Sequence, residues 1–397
     1  MMSAARILVI DDEADIGEFV AAVAHESGFH CVATTDASAV SELYTPDTAL
    51  ILLDLMMPDM DGIEVLRVLS NLQCKASILL MSGINVRVME TAEKLAHALG
   101  LSIAGHLVKP FRLAELEDAL RKHAAQEALA AVEHNPRIVF PDDKLRGAVA
   151  HDEFVLHYQP QIDLDTGNVI GVEALARWQP PDSSLIYPDN FIARAEALGL
   201  IDDLGWLVAE RGLSDLKQFA DASHAAPRLA LNVSVHSLRD LTFPDTLASM
   251  LKTHGVPAEG VMVEITESGL IDELSRSLDV LTRLRMKSIH LSIDDFGTGY
   301  AMMQQLVAIP ATELKIDKIF VLNMHMNSSD RVMAQKTIEI GHELGMKVTA
   351  EGVETREQLD FLRLKGCDSA QGYFFSRPLP APELVLWLEE YRARQIN

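Results

Sequence analysis

Continuous apolar runs alternate with amphipathic stretches along the whole chain. Residues 6–10 (RILVI) read as a strand buried on both faces, and Ala14–Glu26 carries helically spaced apolar positions closed by Gly28. Further strands are predicted at 30–34 (HCVAT), 49–54 (ALILLD), 77–81 (SILLM) and 106–109 (HLVK), separated by helical patterns that include Val86–Leu99 and Leu113–Ala124. Five strands alternating with helices in so short a span imply a doubly wound parallel sheet of the flavodoxin-like kind. Residues 112–134 then carry an Ala-, Glu- and Leu-rich helical pattern ended by Asn135-Pro136. A second alternation comes next, with strands expected in FVLHYQP, VIGVEALA, RLALNVS, VMVEIT, IHLSIDD, ELKID, KVTAEG and SAQGYFF. Eight strands with intervening helices predict a (β/α)8 TIM-like barrel. The expected division is a first domain over 5–123, a helical linker over 124–144 and a barrel over 145–397.

Composition agrees with two folded cores: 397 residues, 48% hydrophobic and 23% charged. The formal charge of −24, from 34 basic and 58 acidic side chains, repels phosphate backbones and argues against a nucleic-acid polymer as partner. An anionic small molecule would need bound cations beside it. Cys31, Cys74 and Cys367 are odd in number, widely spaced and without a CxxC, which predicts reduced thiols and a cytoplasmic protein. No charged segment followed by a short apolar one opens the chain, and no apolar run approaches the ~18 residues of a membrane span, so neither secretion nor membrane spanning is expected.

In the first domain, Asp11 and Asp12 follow strand one, Asp54 ends strand three, Ser82 follows strand four and Lys109-Pro110 ends strand five. All lie at the carboxyl edge of one parallel sheet, where open α/β sheets place their sites. Any one aspartate there could be a turn or cap residue. Their coincidence points to a hard divalent ion, a carboxylate nucleophile, and a lysine and hydroxyl to hold a phosphoryl group. Through VIDDE (9–13), LLDLMMPDMDG (52–62), MSG (81–83) and VKPF (108–111), the chain resembles the response-regulator receiver family. The resemblance implies that Asp54 is the phosphoacceptor for a sensor histidine kinase. It implies that Asp11 and Asp12, with Asp54, hold one Mg²⁺ or Mn²⁺, and that Ser82 and Lys109 contact the phosphoryl group. The position three before the lysine, commonly aromatic in that family, is His106.

In the second domain nearly every predicted strand ends in an acid, an amide or a lysine: Gln159, Glu173, Asn232, Glu264, Asp294 with Asp295, Lys315, Glu351 and Gln371. Barrel enzymes carry their chemistry at that end. Glu173, Asn232, Glu264 and Asp294 form an oxygen-only set suited to Mg²⁺ or Mn²⁺, and Asp295 can help a second ion. Two such ions can activate water for an in-line phosphodiester displacement. The motifs YQPQ (158–161), EALAR (173–177), NVS (232–234), EITE (264–267), DDFGTGY (294–300), LKID (314–317), AEGVE (350–354) and QGYFFSRP (371–378) resemble the EAL-domain family of cyclic di-GMP phosphodiesterases.

By that resemblance Glu173, Asn232, Glu264 and Asp294 bind the first metal, and Asp294, Asp295 and Glu351 the second. Lys315 positions the attacking water, with Glu351 or the metals lowering its pKa. Gln159, Leu175 and Arg177 face the nucleotide, Glu354 and Gln371 support the pocket or the guanine, and Glu267 anchors the glycine-containing loop after Asp295. The implied function is hydrolysis of cyclic di-GMP to linear pGpG, modulated by Asp54 phosphorylation, in a homo-oligomer formed through the barrel or through barrel and receiver together. The alternative is a catalytically silent cyclic di-GMP receptor or scaffold acting on protein partners, which would be expected to lack one of these carboxylates or the lysine. His151-Asp152 lacks the further His/Asp spacing of another phosphodiesterase class, and GTG in the loop lacks a GxGxxG context.

Overall fold

The computed structural model describes residues 6–83, 86–117, 119–121, 140–181, 184–223, 226–297, 303–325 and 327–396, and the chain divides into two compact units, 1–135 and 136–397. In the first unit, β1 (Arg6–Ile10), β2 (His30–Thr34), β3 (Thr48–Asp54), β4 (Ser77–Ser82) and β5 (Ser102–Val108) form one parallel sheet in the order β2-β1-β3-β4-β5. The two-residue period sorts the core. Ile7 and Val9 of β1 pack with Val20, Val23, Leu116 and Leu120 on one face. Leu8 and Ile10 pack on the other with Val65, Leu66, Met89 and Ala92. Covered by helices on both sides, the central strands must be apolar throughout.

The second unit is a closed barrel built from β6 (Phe154–Asp163), β7 (Val169–Trp178), β8 (Arg228–Asn232), β9 (Val261–Thr266), β10 (His290–Phe296), β11 (Glu313–Ile316), β12 (Lys347–Ala350) and β13 (Ser369–Ala370). Neighbours from β7 to β13 pair in parallel, and β13 closes onto β6. The barrel departs from the all-parallel pattern at its first strand, which runs antiparallel to both β7 and β13. Only residues 164–168 separate β6 from β7. A parallel crossover needs a dozen residues or more, so that spacing permits a hairpin and nothing else. The Asp163 carboxylate closes the turn, accepting from the Thr166 amide and hydroxyl at 2.7 Å each. A short β14 (Leu379–Pro380) pairs with the outer part of β6.

Much of the linker expected over 124–144 lies outside the described residues. Its last residues belong to the barrel instead. The helix Asp142–Ala150 buries Leu145 and Ala148 in the barrel's core, and the Phe140 ring meets the Trp178 ring edge-on at 4.7 Å between centroids. Among the described residues no helix is long and apolar enough to cross a membrane.

Candidate functional sites

At the carboxyl edge of the first unit's sheet, Asp11 and Asp54 are both buried. Their Oδ2 atoms lie 2.7 and 2.6 Å from the Lys109 ammonium. The Glu13 amide donates to Asp11 Oδ1 at 3.0 Å and the Met56 amide to Asp54 Oδ1 at 2.9 Å, fixing both carboxyl planes. Asp12 is exposed beside them, and Asp11, Asp12 and Asp54 can each offer an oxygen within 4.8 Å of the other two. Burial pushes the Asp11 carboxyl up against the opposing pull of Lys109. Burial also disfavours the Lys109 ammonium, but its bonds to Asp11 and Asp54 outweigh this and raise its pKa. Ser82 is buried at the end of β4, and its carbonyl accepts from the Lys109 amide at 2.9 Å. His106 points to the helix Val86–Ala98, its Nδ1 2.8 Å from Glu93 Oε1.

In the barrel, parallel register carries the strand ends to one level: Asn232 pairs with Glu264, and Asp294 with Thr266. The Lys315 side chain is fully buried at the centre. Its ammonium lies 2.6 Å from Glu351 Oε1, 3.0 Å from Glu264 Oε2, 3.4 Å from Asp294 Oδ1 and 3.7 Å from Glu173 Oε2. Amides complete the ring. Asn232 Nδ2 donates to Glu173 Oε1 at 2.7 Å, and Gln371 Nε2 donates at 2.8 Å to both Glu173 Oε2 and Glu351 Oε1. Glu264 Oε1 is buried with no hydrogen-bond partner among the described residues.

Successive strand residues face opposite sides, so adjacent carboxylates ordinarily cannot share a site. Here Asp295 has a φ of +55° and the β10–β11 register shifts between Ile293 and Phe296. That kink lets Asp294 and Asp295 both offer an oxygen within 4.8 Å of one on Glu351. Aspartate is among the few side chains that accept the left-handed region, where strain often marks a site.

One ammonium does not balance this many acids. Burial, with Glu173, Asp294 and Glu351 nearby, raises the Glu264 carboxyl well above its usual range against the pull of Lys315. Burial and the Asp294 and Glu173 charges push Glu351 up to about 8. Burial, Asp294 and a hydrogen bond with Asp317 push Asp295 up to about 7. Glu173 differs: burial acts upward on it too, but Lys315, Gln371 and Asn232 together hold it below the usual value. An all-oxygen set with excess negative charge and an unpaired buried oxygen fits hard divalent cations.

The remaining expected residues sit around this cluster. Leu175 lines a cavity of about 970 Å³ that also reaches Asn232, Glu264, Asp294 and Asp295 and extends to Pro188, Trp206 and His236. Gln159 Nε2 donates to the Ser376 carbonyl at 3.2 Å. Arg177 is buried, its guanidinium 5.0 Å from the centre of the Tyr187 ring. Glu267 Oε2 accepts from the Gly297 amide at 2.7 Å, which ties the start of the loop after β10 to the helix Glu267–Met286. Gly299, Ala301 and Met302 of that loop lie outside the described residues. Glu354 is exposed, and its amide N–H donates to Gln358 Oε1 at 2.7 Å. Gly372 has a φ of +155°, and a Cβ there would fall 2.2 Å from the Val353 carbonyl oxygen, so only glycine lets the segment after Gln371 pass so close to the one after Glu351.

Gln161 and Asp317, both buried and bonded to residues of this cluster, were missed by reasoning on strand ends. Asp317 caps the helix Lys318–Asn323 through the Ile319 amide at 2.6 Å while facing Asp295. Its signal was an acid two residues beyond Lys315, on the strand face that alternation turns inward.

Both units are similar to known proteins. The EAL domain family matches residues 142–378, and the response regulator receiver domain family matches residues 7–121. The cyclic di-GMP phosphodiesterase RocR of Pseudomonas aeruginosa is 33% identical over 328 residues, covering 82% of this chain and 83% of RocR. Cyclic di-GMP phosphodiesterase NbdA of the same organism is 40% identical over 251 residues, 63% of this chain, but the match spans only 32% of NbdA. The solved structure described as PaMucR phosphodiesterase in a c-di-GMP complex superimposes with a TM-score of 0.58 at 37% identity, covering 61% of this chain and 98% of that one.

Proposed function

The chain belongs to the EAL domain family and carries a response regulator receiver domain, and from that premise we propose that it hydrolyses cyclic di-GMP to linear pGpG under control of Asp54 phosphorylation. The observation that carries the reading is the convergence of Glu173, Glu264, Asp294 and Glu351 on the buried Lys315 ammonium, with Glu264 Oε1 unpaired. A silent receptor would have no need to keep so costly a buried charge cluster complete.

Glu173, Asn232, Glu264 and Asp294 would hold a first Mg²⁺ or Mn²⁺, and Asp294, Asp295 and Glu351 a second. Such ions supply activation of water and neutralisation of charge on the phosphodiester. The Lys315 ammonium, anchored 2.6 Å from Glu351, orients the attacking water and offsets charge developing on phosphorus. Glu351 stands where it can take the proton that the water loses. The water oxygen bonds to phosphorus as the bond to the 3′ oxygen breaks, and the leaving oxygen takes up a proton from solvent while Glu351 returns its own to solvent, giving a 5′-phosphate and a 3′-hydroxyl. Leu175, Gln159 and Arg177 would hold the nucleotide, Glu354 and Gln371 would support the pocket or the guanine, and Glu267 would set the loop that begins at Gly297.

In the receiver, Asp11, Asp12 and Asp54 would hold one Mg²⁺ or Mn²⁺ while Asp54 accepts a phosphoryl group from a sensor histidine kinase. Lys109 and Ser82 would contact the group once attached. A cytoplasmic homo-oligomer completes the reading. Incubation with cyclic di-GMP and Mn²⁺, followed by chromatographic separation of products, tests it. Appearance of pGpG supports hydrolysis, whereas saturable binding without product would favour the receptor alternative.

A further inference from the structure

Gln161 has no role in the chemistry above, yet it is buried beside it, with 4% of its surface exposed. On β6 it stands two residues beyond Gln159, and strand alternation turns both toward the barrel interior. Its Nε2 donates to Gln371 Oε1 at 3.2 Å. That bond fixes which way the Gln371 amide faces. With its oxygen held by Gln161, the Gln371 nitrogen is left to donate at 2.8 Å to both Glu173 Oε2 and Glu351 Oε1, carboxylates on β7 and just after β12. The reversed amide would set its oxygen against both carboxylates and its nitrogen against the Gln161 N–H groups, losing three bonds and adding repulsion.

The backbone makes room for this contact. In the β6–β7 register Gln161 lies opposite Gly171, where the pairing also shifts by a bulge. A Cβ on Gly171 would fall 2.4 Å from Gln161 Oε1. A glycine opposite the glutamine is therefore what allows its amide to lie flat against β7 and reach across to Gln371.

We propose that Gln161 is a positioning residue. By orienting the Gln371 amide it sets the placement of Glu173 and Glu351, and so the geometry offered to divalent ions and to Lys315. This rests on the hydrolase reading above, with Glu173 and Glu351 as ion-holding groups. Partners of this kind, one bond removed from the ion, change ion affinity or activity by about 10- to 100-fold when lost.

The test is a double-substitution cycle of Gln161→Leu, Gln371→Leu and the two together. It reads kcat and KM for cyclic di-GMP and, independently of turnover, Mn²⁺ affinity by the electron paramagnetic resonance of free ion. Gln161→Leu is expected to lower kcat and Mn²⁺ affinity by roughly tenfold with little change in KM, and the double variant to match Gln371→Leu alone. A double variant showing the product of the single effects would overturn the proposal, because a packing role independent of Gln371 adds. Wild-type kcat and Mn²⁺ affinity in Gln161→Leu would overturn it as well. Should Gln161→Leu not fold, Gly171→Ala carries the test: it must reproduce the defect by displacing the Gln161 amide, and wild-type behaviour there refutes the argument. If the unsubstituted chain makes no pGpG, the hydrolase reading fails, while the Mn²⁺ arm of the cycle still decides the role of Gln161.

Discussion

Replacing Lys315 with Met keeps the volume of the side chain and removes its charge from among four carboxylates. Two of the four, Glu351 at 2.6 Å and Glu264 at 3.0 Å, are within hydrogen-bond reach, and the others come next at 3.4 and 3.7 Å. The ammonium itself is fully buried, so its charge is poorly replaced by solvent. Removing one partner of a buried pair costs about 3–5 kcal/mol, since the other partner stays uncompensated. That is the upper end of the expected loss of barrel stability in EDTA at pH 8, where more of the carboxylates are ionised than at pH 5. At pH 5 the loss should shrink, because carboxyls already raised by burial and mutual repulsion escape by taking protons. Mn²⁺ should restore much of it at pH 8 by supplying the missing positive charge. Turnover should fall by about 10²–10³, the cost of deleting one preorganised group that meets developing charge. The assays are thermal unfolding with EDTA or Mn²⁺ at both pH values, and pGpG release at saturating Mn²⁺. A Lys315→Met chain with unchanged turnover would remove Lys315 from the mechanism, and equal destabilisation at pH 5 and pH 8 would refute the charge-balance argument.

Glu264→Gln should separate stability from function: it removes a carboxylate whose charge is disfavoured by burial and by Glu173, Asp294 and Glu351, and leaves Lys315 paired with Glu351, so in EDTA at pH 8 the barrel is expected to gain stability, while turnover falls at least 10-fold; calorimetry beside product analysis reads both. The unsubstituted chain in EDTA should lose stability as pH rises. Glu351 at about 8 and Asp295 at about 7 are raised above their ordinary carboxyl values, so their contribution is fully present below about pH 4 and is lost as pH rises through about 7 for Asp295 and about 8 for Glu351. Chemical unfolding across that range checks the sign, and Mn²⁺ should reverse the slope, since it binds the deprotonated set. Asp54→Asn should abolish acid-labile phosphate uptake from a small phosphodonor and make pGpG release insensitive to that donor; an equal response in wild type and variant would remove Asp54 from regulation.

The sheet of the first unit was legible because its central strands are buried on both faces and have no choice but unbroken apolar runs. The barrel was legible for a related reason: its strands carry core residues up to the last position and then an acid or amide. Strand patterning did not reveal direction. FVLHYQP and VIGVEALA have the same composition whether they run parallel or antiparallel, and the information lies instead in the eight residues between them, too few for a crossover helix. The final strand was overdrawn from SAQGYFF, since pairing ends at Ala370 and the chain then turns past Val353.

Site residues divide along the same line. Candidates at strand ends were legible because position alone marks them. Gln161 and Asp317 were not, because each lies two residues from a marked neighbour, Gln159 and Lys315, and nothing in a single sequence separates an inward polar residue that holds another side chain from one that meets substrate. Asp295 illustrates the reverse case. Alternation would have turned it away from Asp294, and it joins the cluster only through a left-handed backbone that a sequence does not display. The three cases share a physical cause. A strand's two-residue period predicts which face a side chain takes, whereas bonds between inward residues and local breaks in the period depend on which strands become neighbours when the barrel closes. Gln161 meets Gln371 because β13 closes onto β6, with Ala370 opposite Ile162, across 210 residues of chain. A substitution that slipped this closing register by one residue would turn Gln371 outward, and Glu173 and Glu351 would lose their shared donor without either carboxylate having been changed.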